Sequence, residues 1–419
     1  MNTLLKSATI VDSSSAYHQQ QKDILIIDGK ITKIADKITP KNEDTVVDLK
    51  NLHVSIGWFD TSVSFGEPGF EERETIKNGL NVAAKSGFTA IAINANTNPV
   101  IDNKSAVEFL ISKSVNAATT LYPIGALTQG SKGIDMAELY DMKQSGAIAF
   151  ADYNKPIAND NLLKVALQYA QNFDGLIFSF PKNNSIAGEG IANEGINSTR
   201  LGLKGIPALA EHLQIARDLF LLEYTGGKLH IPTISTKKSV LLIKEAKKKG
   251  LDITCSVAAH HLILTDDELP DFDSRYKVNP PLRSNEDTKA LTKGVTSGVI
   301  DIITSDHNPI DIENKKVEFS EALDGSIGLE SMFGAVNSVL ETTDFIEAIT
   351  YNPRKRFDIT VPKIEEGRQA DITLFNPEGN HTFSITDILS TSKNSIFIDK
   401  KLKGKAYGIF VNNQLILNQ

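Results

Sequence analysis

Residues 57–69 read Gly57-Trp-Phe-Asp-Thr-Ser-Val-Ser-Phe-Gly-Glu-Pro-Gly69. An apolar run ends in a Gly-Glu-Pro-Gly turn, so the stretch is a strand running into a loop. Strand side chains alternate, which puts Ser62 and Ser64 on one face. The pattern recurs along the chain. Apolar strand-like runs lie near 57–65, 88–94, 119–126, 147–152, 175–180, 228–234, 251–257 and 299–306, with helical patterns between them. The clearest helix covers 207–225. Pro207 suits a first helical position, Leu209, Leu213, Ala216 and Phe220 fall on one face, and Gly226-Gly227 stops it. A second runs from Lys237 to Lys249 and stops at Gly250. Eight strands, each followed by a helix, make an α/β chain folded as a (β/α)8 TIM barrel.

The two ends have a different texture. Asp28-Gly29 between apolar runs predicts a hairpin near the start, and Asn412-Asn413 a turn near the end. The expectation is a small β-sandwich domain built from both termini, 1–55 plus 363–419, around a barrel of 56–362.

Composition narrows the function. With 41% hydrophobic and 23% charged residues the chain has an ordinary globular balance. A net charge of -8 argues against nucleic acid or an anionic membrane as partner. No apolar run is long enough to span a bilayer, and Met1-Asn-Thr-Leu-Leu-Lys-Ser7 lacks a signal-peptide core. The single cysteine, Cys255, excludes an intrachain disulfide and a cysteine-based zinc site, and a reducing cytoplasm is the expected location.

Barrel chemistry sits at the C-terminal strand ends. The first strand ends at Ser62 and Ser64, and the second runs into Asn94-Ala-Asn-Thr-Asn-Pro99. The fourth ends at Asp152-Tyr153, the fifth at Ser179-Phe-Pro-Lys182, and the sixth contains Thr233. The eighth ends at Asp306-His307. A zinc hydrolase needs several His or carboxylate ligands converging on one point with a position open for water. Only Asp152 and Asp306 qualify here. Serine and threonine hydroxyls stay protonated and neutral near pH 7, which makes them poor ligands. Two carboxylates suit at most a weakly held, hydrated Mg²⁺. His260-His261, read as neighbours on a strand, point to opposite faces rather than forming a metal pair.

Ordered segments along the chain resemble dihydroorotases of the cyclic amidohydrolase family. They include Gly66-Glu-Pro-Gly-Phe-Glu-Glu-Arg-Glu-Thr-Ile76, Leu201-Gly-Leu-Lys-Gly-Ile-Pro207, Lys277-Val-Asn-Pro-Pro-Leu-Arg283 and Thr304-Ser-Asp-His-Asn-Pro309. The resemblance implies zinc as cofactor and reversible cyclisation of N-carbamoyl-aspartate to dihydroorotate. It also locates departures. The family's four zinc-binding histidines match Ser62, Ser64, Ser179 and Thr233. Its catalytic aspartate matches Asp306, and the aspartate pair after strand four matches Asp152-Tyr153. Its substrate asparagines match Asn96 and Asn279, its carboxylate-binding arginine matches Gly66, and a final substrate histidine matches Ile310.

The expectation is therefore a pseudo-dihydroorotase with no bound metal. Asp306, Asn96 and Asn279 are vestigial, and Asp152 and Asp306 are the remnant ligands. By resemblance, such chains act as structural or regulatory partners of aspartate transcarbamoylase, and a homodimer is the family's usual state. The alternative is an active amidohydrolase with a rebuilt metal site.

Overall fold

The computed structural model describes residues 2–418. Eight parallel strands form the barrel: β1 (Trp58–Val63), β2 (Phe88–Ile93), β3 (Thr120–Gly125), β4 (Ala149–Phe150), β5 (Leu176–Phe178), β6 (Lys228–Ile231), β7 (Ile253–Ala258) and β8 (Ile302–Thr304). Seven fall inside runs read from the sequence, and β7 passes the end of its run, 251–257, by one residue. The ring closes just past β8, where His307 bridges to Val63. The Ser64 N–H donates to the His307 carbonyl at 2.7 Å, and the His307 N–H donates to the Ser62 carbonyl at 3.1 Å.

Strands from both ends of the chain pair in one further sheet. Asn2–Ile10, Gln21–Ile27, Lys30–Ala35 and His53–Ile56 join Ile372–Thr382, Lys401–Val411 and Gln414–Leu417, with Asp44–Val47 beside the first. Both hairpin signals hold. Ile27 pairs with Lys30 across Asp28-Gly29, and Val411 with Gln414 across Asn412-Asn413; all four turn residues have positive φ, as a type I′ turn requires. Trp58 fixes this sheet to the barrel. It is fully buried, stacks on Phe333 at 4.7 Å and packs against Phe375 of the terminal sheet at 5.5 Å; its indole N–H donates to Ser55 Oγ at 3.0 Å. The segment 383–400, between the two long terminal strands, leaves the sheet and packs against the loops beyond β1 and β8. There Asn394 Oδ1 accepts from the Ile310 N–H, and Thr391 donates to Glu74.

Two local expectations turn out differently. The helix Ala208–Thr225 faces the barrel with Ala210, Glu211, Gln214, Ile215, Asp218 and Leu222, and turns Leu209, Leu213 and Phe220 to solvent. Its buried carboxylates are held by the loop after β6 and by Arg217, so hydrogen bonding decides its orientation over hydropathy. His260 and His261 lie in a 3-10 turn, Ala259–Leu262, not on a strand, and their rings meet at 4.4 Å. Among the described residues, no helix is long and apolar enough to cross a membrane.

Candidate functional site

The strand-end residues of β1 and β8 meet at the mouth of the barrel. Ser62 Oγ donates to Asp306 Oδ1 at 3.1 Å, and Asn94 Nδ2 reaches Ser62 Oγ at 3.4 Å and Ser64 Oγ at 3.2 Å. Tyr153 lines the same mouth, with its phenol near Ser64 and Asp306. Burial, and then the nearby Asp306 charge, push its phenol well above the usual value. Burial, with the charge of Asp60 adding to it, pushes the Asp306 carboxyl up to about 7 against the single side-chain bond from Ser62. Asp306 therefore holds its proton to far higher pH than an exposed carboxyl does.

The other former ligand positions point to separate partners. Asp152 accepts from the Thr128 N–H at 2.9 Å and from the Thr128 hydroxyl; burial raises its carboxyl overall. Ser179 is fully buried against Asp218, a carboxyl that burial raises to about 6. Thr233 lies just beyond β6 in a left-handed conformation, φ 49°, with its N–H donating to Ser256 Oγ at 3.2 Å. For a β-branched residue that backbone is strained. Among the described residues, neither Asn96 nor Asn279 hydrogen-bonds to the Ser62–Asp306 cluster, although the Asn96 carbonyl oxygen is buried without a partner.

The histidines near the mouth are packed as neutral rings. His307 accepts at Nδ1 from the Gly328 N–H at 3.2 Å, and burial lowers it to about 3. His230 is bracketed by Thr254 Oγ1 at 2.8 Å and Ser256 Oγ at 3.1 Å and lies 4.5 Å from the Phe178 ring. His261 is tied to the Pro280 carbonyl at 3.1 Å. His212 bonds to Thr236.

Zinc does not fit this donor set. Three or four charged or imidazole ligands must converge, and among the described residues no three His, Cys, Asp or Glu side chains do so. The two remnant carboxylates are bound to different hydroxyls, Asp152 to Thr128 and Asp306 to Ser62. The mouth beside them leaves little room. The cavity bounded by Ser62, Asn94, Tyr153, Phe178 and Thr233 measures about 10 Å³, room for one water at most. At Gly66, a Cβ would lie 1.7 Å from the Phe70 carbonyl oxygen. The Gly66 N–H and carbonyl are engaged by Glu74 and Phe70, so the loop has folded over the place where an arginine side chain would start. Ile310 is buried beneath Asn394.

Sequence reading missed Tyr153 and Asn94 as members of the cluster. Asn94 sits two residues from Asn96 at the end of β2, and that spacing is the one signal that it faces the mouth.

Comparison with known proteins places the chain. A family model described as "Dihydro-orotase-like" matches residues 53–239. The chain is 39% identical to the dihydroorotase of Pelotomaculum thermopropionicum, over 100% of this chain and 99% of that one. It is 38% identical to that of Acetivibrio thermocellus, over 99% of each. Among solved structures, an L-hydantoinase from Arthrobacter aurescens superposes with a TM-score of 0.85 at 22% identity, covering 99% of this chain and 96% of that one. A dihydropyrimidinase from Brevibacillus agri gives 0.84 at 20%, covering 100% and 95%. The structural likeness supports the barrel with its terminal sheet, and the full-length sequence identity carries the assignment: the chain belongs to the dihydroorotase family.

Proposed function

We propose that this chain is a non-hydrolytic dihydroorotase homologue of pyrimidine biosynthesis, acting as a structural or regulatory partner of aspartate transcarbamoylase in the cytoplasm. The observation that carries the reading is the coordinated replacement at the mouth. Hydroxyls stand at Ser62, Ser64, Ser179 and Thr233, and the space they would leave is taken up by Tyr153 and by the loop closed at Gly66. Without a Lewis acid, nothing lowers the pKa of water from about 15.7 toward 7 or polarises a ring carbonyl. A lone Asp306 has no activated nucleophile to serve.

Elemental analysis of protein produced in zinc-supplemented medium tests the first half. Less than about a tenth of an equivalent of zinc, with no turnover of dihydroorotate or N-carbamoyl-aspartate, is expected. One or two equivalents with turnover would establish the alternative, an active amidohydrolase using Asp152 and Asp306. Co-elution of the chain with the aspartate transcarbamoylase of the same cell tests the second half. Separate elution at micromolar concentrations would remove the partner.

A further inference from the structure

Two neighbouring helices on the outside of the barrel, Lys237–Lys248 and Asn285–Thr296, carry a lysine-rich face on a chain whose net charge is -8. Both start at the same end. There Lys237 Nζ bonds to Glu286 at 2.6 Å, and the Lys237 N–H donates to Asp287 Oδ1 at 2.9 Å. The helices pack side by side, so their outward rows run together about 10 Å apart. One row holds Lys238, Leu241, Lys244 and Lys248, the other Glu286, Lys289 and Lys293, at the three- and four-residue spacing of one helix face. All seven are exposed.

Half of the lysines are accounted for within the chain. Lys237 pairs with Glu286, Lys247 with Asp301, Lys248 with Glu245 and Lys249 with Glu223. Lys247 to Lys249 also stand at a helix C-terminus, which the dipole favours. The other four, Lys238, Lys244, Lys289 and Lys293, form no ion pair among the described residues. Lys238 lies in a first turn, where the dipole disfavours a cation, and its helix has no acidic residue in that turn. Asp287 is the one further carboxylate on these helices, so the face stays positive. The short helix Thr342–Phe345, with Asp344, packs on Asn285–Thr296 and ends it.

We propose that this face docks an acidic segment of another protein, whose Asp and Glu side chains pair with Lys238, Lys244, Lys289 and Lys293 around an apolar contact at Leu241. Charge complementarity selects an anionic occupant. Lys238 and Lys244 stand about 9 Å apart along the axis and Lys289 and Lys293 about 6 Å, within the span of one acidic helix or hairpin. Three features favour a protein over other polyanions. Nucleic acid recognition draws on arginine forks and aromatic stacking, and neither helix contains an arginine or an aromatic residue. Leu241, 47% exposed in the middle of its row, is a site that a phosphate backbone leaves uncovered. A membrane or a long polyanion would reach past Asp344 to the acidic remainder of the chain, whereas a compact segment meets the lysines alone. The inference depends neither on the transcarbamoylase reading nor on whether the barrel hydrolyses anything.

Fluorescence anisotropy tests it, with the full-length chain and a labelled peptide of glutamates around a central leucine, roughly twelve residues long to span the face. Saturable binding is expected at about 50 mM salt, weakening by roughly fivefold or more at about 200 mM because exposed pairs are screened. Lys238→Gln, Lys244→Gln, Lys289→Gln and Lys293→Gln together should weaken it by roughly 10-fold or more. The melting profile should not change, because these side chains hold no internal ion pair. Leu241→Ala should weaken binding by about threefold. Lys33→Gln, Lys132→Gln, Lys316→Gln and Lys363→Gln together change the net charge equally at exposed positions elsewhere and should leave binding intact. No saturable binding up to about 1 mM peptide, or an equal loss in that control, would overturn the proposal. So would tighter binding of duplex DNA or phosphatidylserine vesicles through the same lysines, or self-association of the chain through them.

Discussion

The Glu211–Arg283 cluster and the Ser62–Asp306 cluster are both buried in the barrel, yet they treat charge differently. Glu211 accepts from the Ser235 N–H at 3.0 Å, the Thr236 N–H at 3.1 Å, the Ser239 hydroxyl at 2.5 Å and the hydroxyls of Ser235 and Thr236. Arg283 stands 3.9 Å away and donates to Ser235 Oγ, Asn193 Oδ1 and the Ile206 carbonyl. Asp306 has one side-chain donor, Ser62. Burial costs both carboxylates hydration, but only the first recovers it in hydrogen bonds. The difference separates what the fold uses from what the mouth has retained without a counter-charge.

The largest effect should come from breaking the satisfied cluster. Glu211→Ala leaves Arg283 buried without its counter-charge and the Ser235 and Thr236 donors without an acceptor. A loss of about 3–5 kcal/mol is expected, measured as a fall in the urea midpoint with an unchanged m-value.

Removing the unsatisfied charge should have the opposite sign. The folded-state pKa of Asp306, about 7, lies above its unfolded value near 4. Between those two values the unfolded chain has lost the proton while the folded one keeps it, so this group's contribution to stability falls as pH rises from 4 to 7 and stays low above 7. Asp306→Asn removes that dependence. Its melting temperature relative to the parent should be near zero or slightly negative at pH 4.5, rise through neutrality and level off above about pH 7.5. Asp60 and Asp218 titrate in both proteins and largely cancel in the difference. A flat difference across that range would mean that Asp306 is solvated or paired.

How much of this contrast the sequence carries depends on distance along the chain. The eight strands and both hairpin turns were legible, because alternation and turn residues are local signals. The orientation of the 208–225 helix was not. An apolar stripe at helical spacing marks a face to be covered without saying by what, and the polar residues opposite it find partners 24 and 72 positions away, at Ser235 and Arg283. The sequence reads His260 and His261 as strand residues because β7 runs directly into their turn without an intervening glycine or proline. The closure of the loop over Gly66 was invisible for a related reason, since it depends on where the Phe70 carbonyl lands. A substitution list shows which ligands are gone, but the loss of room for their return is a property of the packed chain.

The finest test compares one hydroxyl in each cluster. Ser235 Oγ donates to Glu211 and accepts from Arg283, so Ser235→Ala removes two charge-assisted bonds and should cost about 2–3 kcal/mol at any pH between 5 and 8. Ser62→Ala removes the bond to Asp306 and the weak 3.4 Å contact from Asn94. At pH 5 Asp306 is protonated, and the loss should be about 0.5–1 kcal/mol, the worth of a neutral hydrogen bond. The Ser62 bond is the one interaction that lowers the Asp306 pKa, so its removal raises that pKa further. The penalty should therefore grow toward pH 8, where the charged carboxylate has lost its only side-chain donor. A Ser62→Ala cost that is independent of pH would mean that water already serves Asp306, and would erase the distinction between the two clusters.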